Sequence, residues 1–419
     1  MQIAVKEILA LIILVFTYAL ISLNRSGRKR IDLPAAALAG GALMLLFGIV
    51  APQRALAYIN WDTILLILGM MLIVSSMQAV GFFGWISAKV MKSANPVHML
   101  VIICATTAIL SALILNDAVV LMFTPIILQT SRRMGLSPSP YLIMEAVSSN
   151  IGGAATEVGN PQNAYIASVS GIAFHTYTAL ALAPTLLSLA AAILIALFIG
   201  RGHFRGVTDR GVPAAPDPPV RRAPLLFMAV LVLSVFAGFY TSALTHFPIY
   251  AIALVGGIAS LVVVPFVSGS SNQDILQNVD WGILLFFVGL FVLIAGVESS
   301  GLLGAIVLSF QRLSGGAVDT VGGMTVLSAL LSNVTSNVPA VLLLAPVVQH
   351  APSTRLWVSL ALSSTFAGNA TILGAAANVI VVRTASREGV KISLGEFALY
   401  GLPITLVSLF FTVLFLSAV

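Results

Sequence analysis

The stretch from Gly153 to Asn163 reads GAATEVGNPQN, and the stretch from Gly368 to Asn378 reads GNATILGAAAN. They share Gly, Ala, Thr, an aliphatic residue, Gly and Asn at positions that stay 215 residues apart, from 153 and 368 to 163 and 378. Each stretch lies inside a long apolar segment, where clustered Gly, Thr and Asn are poor helix formers. The pattern therefore predicts two copies of one helix interruption.

The composition predicts an all-α membrane protein with many spans. Of the 419 residues, 59% are hydrophobic and only 8% are charged, and the mean hydropathy is +1.07. Apolar runs of about twenty residues, the length that crosses a bilayer as a helix, recur along the chain. The first run, Ile8 to Leu23, is predicted to be a retained helix, because no small-residue cleavage site precedes the basic cluster that follows it.

Several function classes are excluded by what the chain lacks. The net charge of +6 and the pI of 9.7 are expected to reflect topology and contact with anionic lipid headgroups, not nucleic-acid binding. The single cysteine, Cys104, excludes an internal disulfide, a Cys-based zinc site and CxxC redox chemistry. The sequence contains no constellation typical of an enzyme active site, so we predict no catalysis and no cofactor.

The basic residues predict the orientation of the chain. Four of them crowd the loop after the first helix: Arg25, Arg28, Lys29 and Arg30. Positively charged loops stay in the cytoplasm, so we expect the N-terminus outside the plasma membrane of a bacterium or an archaeon. Helices are predicted at Leu33 to Val50 and at Trp61 to Gln78, and an amphipathic segment with Lys89 and Lys92 is expected at the inner interface.

Residues 97–132 are predicted to form a re-entrant hairpin. Their apolar run is interrupted at Asn116 and Asp117, and basic residues flank both ends, at Lys92 and Arg132. Basic residues at both ends place both ends in the cytoplasm. Two full spans with a buried turn are the alternative, for which a length of about 35 residues is too short.

The chain is predicted to consist of two inverted repeats, each of about five transmembrane helices plus a hairpin. The first repeat is predicted at 1–200, with a hairpin at 97–132 and a broken helix at 140–169. A mobile cytoplasmic linker is predicted at 201–222. The second repeat is predicted at 223–419, with a hairpin at 318–350 and a broken helix at 355–383. Matched residues support the repeat: Trp61 pairs with Trp281, and Pro125 pairs with Pro346. An odd number of spans inverts the second copy, which keeps Arg383 on the cytoplasmic side.

Two hairpin tips and two helix breaks are therefore expected to meet near the membrane midplane. Each break frees backbone N–H and C=O groups that can ligate ions or polar substrate groups. The predicted substrate-binding residues are Asn116, Asn163, Asn337, Asn378, Thr156, Thr371, Ser336, Asn160, Gly159 and Gly374. The alternative is that these small residues only help helices to pack, as small residues often do in membranes. The duplication favours a site, because buried backbone breaks are costly without a use.

Two carboxylates fall inside this predicted site. Asp117 lies at the first tip and Glu157 in the first break, and acidic residues inside membranes are functional candidates. Both are predicted to be coupling residues, although Glu157 could instead face an outer vestibule. Their counterparts in the second half are uncharged, and no Lys or Arg falls at the predicted site positions. Glu145 and Glu298 lie in or near spans, where a structural role is the alternative.

The duplicated stretch resembles the ion-transporter superfamily, which includes divalent-anion/sodium symporters, citrate carriers, sodium/proton antiporters of the NhaD type and arsenite permeases (ArsB). Ser149 to Asn163 (SNIGGAATEVGNPQN) resembles the first broken helix of the anion symporters. Ser336 to Val338 (SNV) resembles their Ser-Asn-Thr hairpin tip. The resemblance covers nearly the whole chain and implies elevator-like alternating access.

The first tip departs from the symporter pattern, because Leu115-Asn116-Asp117 replaces Ser-Asn-Thr. Asn116-Asp117-Ala118 followed by Thr124-Pro125-Ile126 instead resembles the Asn-Asp-Gly and Thr-Pro-Ile motifs of the arsenite permeases. A carboxylate at the tip repels a carboxylate substrate, but it accepts hydrogen bonds from a neutral polyhydroxy compound and can carry a proton.

We therefore expect export of a neutral metalloid hydroxide, arsenite or antimonite, by proton-coupled antiport. The alternatives are sodium- or proton-coupled symport of small mono- or dicarboxylates, sodium/proton antiport, and a passive channel. The coupling ion is H⁺ or Na⁺. The expected partners are the small inorganic or organic solute and the lipid bilayer, and a homodimer and a cytosolic ATPase subunit stay open.

Overall fold

The computed structural model describes residues 2–25, 32–90, 95–204, 221–350 and 353–418. Within these ranges the regular secondary structure is helical, as the composition predicts. Eight of the described helices are long and apolar enough to cross a membrane. The predicted class, an all-α membrane protein with many spans, is confirmed.

The first half of the chain contains a helix interrupted between α7 and α8. The described helices of this half are α1 (Gln2–Arg25), α2 (Leu33–Leu46), α3 (Trp61–Ala79), α4 (Phe82–Val90), α5 (Pro96–Leu113), α6 (Asn116–Arg133), α7 (Ser139–Gly153), α8 (Pro161–Ser170), α9 (Phe174–Ile199) and α10 (Arg201–Phe204). A 3₁₀ helix at Pro52–Tyr58 follows α2. Most of the predicted linker lies outside the described residues.

The second half repeats this order, with its interruption between α18 and α19. Its described helices are α11 (Arg222–Thr245), α12 (Ile249–Ser268), α13 (Asn272–Gln277), α14 (Trp281–Ser299), α15 (Leu302–Ser314), α16 (Val321–Thr335), α17 (Asn337–His350), α18 (Thr354–Ala367), α19 (Ala376–Arg387) and α20 (Leu394–Ala418). Short 3₁₀ helices occupy Ala317–Asp319 and Gly368–Ala370. When each interrupted helix is taken as one span, each half has five spans and one helical hairpin.

The first hairpin turns slightly earlier than the sequence predicts, whereas the second turns at Ser336, within its predicted tip. In the first, α5 ends at Leu113 and α6 begins at Asn116, so the turn is Ile114-Leu115 and not Asn116-Asp117. In the second, α17 begins at Asn337, directly after Ser336. The difference has a physical reason: short polar side chains compete with the helix backbone and favour helix ends, and Asn116 is the first residue of α6, with its Oδ1 accepting from Asp117 N at 2.9 Å.

Each hairpin tip lies beside the break of the interrupted helix and does not reach the far end of that helix. Asn116 N donates to Gly159 O at 3.0 Å, which places the first tip beside the break. Beyond the break, the ten residues of α8 carry the chain about 15 Å further. In the second half, the twelve residues of α19 extend about 18 Å past the break. A hairpin that stops so far short of the broken helix's end has re-entrant geometry.

The two halves pack together through reciprocal close crossings. Gly69 on α3 faces the backbone of Ala253 on α12, and Gly289 on α14 faces the backbone of Ala37 on α2, each so closely that a Cβ atom would overlap it. Gly69 and Gly289 occupy matched positions of the two repeats, at the same sequence offset as Trp61 and Trp281. The contact of α3 with α12 thus has a matched contact of α14 with α2, in which the two copies exchange roles. Reciprocal contacts of this kind are the mark of two copies related by a twofold rotation. Such a rotation is the relation expected of inverted repeats.

Amphipathic helices occupy matched places after the third span of each half. Gly81 ends α3 with φ of 76°, and Gly301 ends α14 with φ of 85°, a left-handed conformation that favours glycine. Helices α4 and α15 follow directly. Arg28, Lys29, Arg30 and Lys92, on which the predicted orientation depends, lie outside the described residues. The orientation stays a prediction.

Candidate functional site

The two helix breaks are held open by one asparagine each. Asn163 Nδ2 donates to Gly153 O at 3.2 Å and to Thr156 O at 2.9 Å. Asn378 Nδ2 makes the matched bonds, to Gly368 O at 2.7 Å and Thr371 O at 2.9 Å. An interrupted helix leaves carbonyl groups without backbone partners, and these amides satisfy them.

Each hairpin tip docks on the break of its own repeat. In the first, Asn116 N donates to Gly159 O at 3.0 Å, and Thr156 Oγ1 donates to Ala112 O at 2.7 Å. In the second, the Asn337 amide, oriented with its nitrogen toward acceptors, donates to Gly374 O at 2.9 Å. A Cβ on Gly159 would overlap the backbone of Gly153 in the break and of Ser111 in the hairpin, whereas a Cβ on Gly374 would overlap the backbone of Gly368 in its own break, so glycine permits close packing of the backbone within each break.

Asn150, which the sequence analysis did not single out, joins the two repeats. It accepts from Asn116 Nδ2 at 3.1 Å, and its own Nδ2 donates at 2.9 Å to both Asn369 Oδ1 and Asn378 Oδ1. Asn150, Asn369 and Asn378 are fully buried. The tip of the first hairpin is thus connected to the break of the second repeat through a single side chain.

Thr365 occupies the position of the second repeat that matches Asn150, and it makes the reverse contact. Its Oγ1 accepts from Gln162 Nε2 at 3.0 Å and from Asn160 Nδ2 at 3.5 Å, both next to the first break. The pair was missed because the two positions hold different residue types. One signal could have indicated Asn150: it lies 13 residues before Asn163, inside the Ser149–Asn163 stretch that resembles the broken helix of the anion symporters.

The second tip is also held from outside the hairpin. Ser336 has φ of 98°, a left-handed value that non-glycine residues rarely adopt. Ser22 Oγ on α1 donates to Val334 O at 2.7 Å, and Tyr18 Oη donates to Pro339 O at 3.1 Å. These two bonds fix the backbone on both sides of Ser336, which allows the unfavourable conformation to persist.

A cavity of about 460 Å³ lies between the tips and the breaks. Five of the predicted site residues line it: Asn116, Asp117, Asn160, Ser336 and Asn337. We call the polar side chains that the tips and breaks contribute to the lining the cavity floor, and the lining also includes apolar residues such as Ile21, Phe286 and Val379. An apolar pocket with a few converging polar groups is the usual form of a small-molecule site.

The other predicted site residues are outside the cavity lining. They are Asn163, Asn378, Thr156, Thr371, Gly159, Gly374 and Glu157. All but Thr371 are buried in the breaks. The sequence predicts that both breaks and both tips meet, which they do. It does not separate side chains that shape the backbone from side chains that reach the open space.

Charged residues at the mouth of the cavity were also missed. Asp32, Asp280 and Arg383 line it, and all three side chains are exposed. Asp280 Oδ1 caps α14, because it accepts from Gly282 N at 3.0 Å and Ile283 N at 3.3 Å. Arg383 is seven residues, about 10 Å, along α19 from its start. Its predicted position, at the end of the second broken helix, gave no sign that it faces the cavity.

Four helices of the tips and breaks begin at the cavity: α6, α8, α17 and α19. Their first residues, Asn116, Pro161, Asn337 and Ala376, all line it. Helix N-termini carry a partial positive charge and free N–H groups, so this arrangement favours electron-rich oxygen atoms. Asp117, in the first turn of α6, places a carboxylate among them.

The four acidic residues in or near the predicted site differ in burial and in contacts. Asp117 is half-buried and lines the cavity. Both oxygens of Glu145 accept from Thr124 Oγ1, at 3.1 and 3.0 Å, so Glu145 connects α7 with the first hairpin. Glu157 is 1% exposed, and the structure does not place it in a vestibule. Glu298 is exposed at the end of α14.

Paired interrupted helices, two docked hairpins and a cavity between them define a membrane transporter built from repeats. The family comparison agrees, since the citrate transporter model (CitMHS) matches residues 18–358. The chain therefore belongs to the CitMHS citrate transporter family, within the ion-transporter superfamily that the sequence resembles.

Relatives support this assignment, and a solved structure matches the fold. An uncharacterized transporter of Mycobacterium tuberculosis, Rv2685, is 34% identical, with 98% of each chain covered. The silicon efflux transporter LSI3 of Oryza sativa subsp. japonica is 29% identical, over 89% of this chain and 90% of LSI3. The crystal structure of the Alcanivorax borkumensis YdaH transporter matches with a TM-score of 0.61 at 15% identity, over 99% of this chain and 98% of YdaH. The YdaH match concerns the fold.

Proposed function

We propose that this transporter exports a neutral metalloid hydroxide, of the arsenous or antimonous acid class, in exchange for protons. The observation that carries the proposal is the cavity floor. It combines one carboxylate, Asp117, with neutral amides and a hydroxyl from Asn116, Asn160, Asn337 and Ser336. These groups accept and donate hydrogen bonds to a compound with several hydroxyl groups, while the carboxylate repels an anion.

The opening of the cavity suits export. It carries Asp32 and Arg383, and in the predicted orientation both lie on the cytoplasmic side. A solute that leaves the cell would enter the cavity from there. Elevator-like movement of the hairpins and breaks against the remaining helices would then carry it across. The silicon efflux name of the rice relative supports this substrate class, since silicic acid is also a neutral polyhydroxy acid at neutral pH.

Proton coupling is assigned to Asp117. Coupling requires a group that binds a proton with different affinity in two states of the protein. Asp117 faces the solute space, so its protonation can change when the cavity closes or opens. Asp117→Asn is nearly isosteric and keeps one oxygen acceptor, but it cannot titrate.

Reconstituted vesicles test both parts. Arsenous, antimonous and silicic acids are compared with citrate and succinate, under a pH gradient and separately under a sodium gradient. We expect the hydroxides to follow the pH gradient. Asp117→Asn should still exchange the hydroxide across the membrane, but its accumulation driven by the pH gradient should fall. Unchanged gradient-driven accumulation in this variant removes Asp117 as the coupling residue.

A second candidate is ion-coupled uptake of a small mono- or dicarboxylate. The observation in its favour is Arg383, the one basic side chain among the described residues that line the cavity, together with the four helix N-termini. Arg383→Gln distinguishes the two candidates, with Arg387→Gln as the matched control, since Arg387 is exposed outside the cavity lining. If carboxylates are the substrate, Arg383→Gln alone should weaken their transport. If the hydroxide is the substrate, both variants should transport it equally.

A further inference from the structure

Glu157 is a buried carboxyl group for which the break has no structural use. It is 1% exposed, it lies outside the cavity lining, and its Oε1 has no hydrogen-bond partner among the described residues. Burial of a charged carboxylate without a partner is costly. Its position in the middle of the first break therefore needs an explanation.

The second break provides an internal control. Ile372 stands at the position that matches Glu157, and it is also buried. The backbone bonds made by Asn163 in the first break and by Asn378 in the second are the same. The break thus forms equally well around an aliphatic side chain. The carboxyl group of Glu157 contributes nothing that the fold requires.

The surroundings of Glu157 are neutral. From α9, Tyr177 interacts electrostatically with Glu157. The Tyr177 hydroxyl is already occupied, since it donates to Ala154 O at 3.0 Å and accepts from Asn163 Nδ2 at 3.1 Å. From the first hairpin, the Ala112 carbonyl is already occupied, since it accepts from Oγ1 of Thr156, the residue next to Glu157 in the break. Among the described residues Glu157 forms no ion pair, so no cation balances a negative charge there.

We propose that Glu157 is a second proton-binding site, separate from the cavity, which adds one proton to each transport cycle. In the conformation described here the carboxyl oxygen carries the proton as O–H. When the break moves and water reaches Glu157, the O–H bond breaks, the proton leaves to water and a carboxylate remains. The contribution to transport rests on the proposed function, whereas the proton binding itself does not.

Infrared spectroscopy of the full-length protein at neutral pH tests the bound proton without any substrate. A protonated carboxyl group has a C=O stretch that a carboxylate lacks. The difference spectrum between wild type and Glu157→Gln should show the loss of one such group. Glu298→Gln, which changes an exposed carboxyl group, is the control and should show no loss. Identical protonated-carboxyl bands in wild type and Glu157→Gln overturn the proposal.

The proton's role in transport is measured by accumulation at steady state with the membrane potential clamped at zero. Each coupled proton multiplies the accumulation ratio by about ten per unit of pH gradient, the tenfold step of an equilibrium constant. Glu157→Ile copies the second break, and its accumulation of arsenous acid should be about tenfold lower per pH unit than that of wild type. Glu157→Gln should match Glu157→Ile, and Glu298→Gln should match wild type.

The two measurements separate this inference from the proposed function. A wild-type accumulation slope in Glu157→Ile overturns the coupling role. If wild type moves no arsenous acid at all, the proposed substrate is wrong, and the infrared measurement still decides whether Glu157 holds a proton. Unfolding temperatures of the variants confirm that each one is folded.

Discussion

The first and second breaks have the same backbone and different side chains. In both, one asparagine satisfies the carbonyl groups that the interrupted helix leaves free, and a glycine permits close packing of the backbone within the break. They differ at two matched positions. Glu157 in the first copy corresponds to Ile372 in the second, and Asn150 corresponds to Thr365. The duplicated residues therefore build the break, and the residues that differ between the copies are the ones expected to make the two halves unequal in function.

The largest effect is expected from removal of the duplicated asparagines. Asn163→Ala and Asn378→Ala each leave two buried carbonyl groups unpaired, at about 1–3 kcal/mol per group. Both variants should lower the unfolding temperature in detergent by a similar amount, if the two breaks are equivalent scaffolds. This outcome would revise the sequence-based role of these residues from substrate contacts to supports of the backbone.

The control for this pair is Asn333→Ala. Asn333 lies in the second hairpin, and among the described residues its amide donates to Ala329 O within the same helix, at 3.0 Å. Its replacement should shift the unfolding temperature much less. Equal shifts in all three variants would contradict a special role for Asn163 and Asn378. A large shift in only one of the two would show that the breaks differ in their backbone as well.

Asn150 should couple the first tip to the second break. Asn116 and Asn378 both bond to Asn150, and residues that share a network show interaction energies of about 0.5–3 kcal/mol in double-mutant cycles. Unfolding free energies of Asn116→Ala, Asn378→Ala and the double variant should be non-additive in the wild-type background. They should become additive in an Asn150→Ala background.

Thr365→Val is the matched control for this cycle, because Thr365 bonds to the residues beside the first break instead. The coupling between Asn116 and Asn378 should survive in that background. Coupling that persists after Asn150→Ala would mean that the connection between the repeats runs elsewhere.

These contacts also show what the sequence could and could not predict. A constant offset between identical residues located both breaks, and the matched prolines aligned the two hairpins. Asn150 and Thr365 escaped because reciprocal contacts need not use identical residues. Arg383 escaped because only the folded helix reveals that it faces the cavity. Asn163 was predicted as a ligand because an amide in a break can bond either a solute or the backbone, and its sequence position is the same in both cases.

Asn116 and Asn337 test whether the two tips contribute equally to substrate binding. A hydrogen bond to a neutral group contributes about 0.5–1.5 kcal/mol, which is about two- to twelve-fold in affinity. Asn116 docks through its backbone N–H, which alanine keeps, whereas Asn337 docks through its side chain. Asn337→Ala should therefore raise the apparent KM for transport more than Asn116→Ala. Equal KM values in the two variants and wild type would place the substrate away from the tips.

The smallest effect is expected at an ion pair that only one half possesses. Arg132 at the base of the first hairpin pairs with Glu388 after α19 at 3.2 Å, and both side chains are about half exposed, at 47% and 55%. The matched positions in the other half, Ser353 and Ala173, carry no charge. Because solvent screens exposed pairs, Glu388→Gln should cost about 0.2–1 kcal/mol of stability at low salt and less at 1 M salt. Glu298→Gln controls for loss of an exposed carboxylate. A loss of stability that does not depend on salt would contradict this screening argument. It would indicate that the hydrogen bond from Arg132 to the Glu388 carbonyl holds the first hairpin against α19. The two hairpins would then be anchored differently at their bases as well as at their tips.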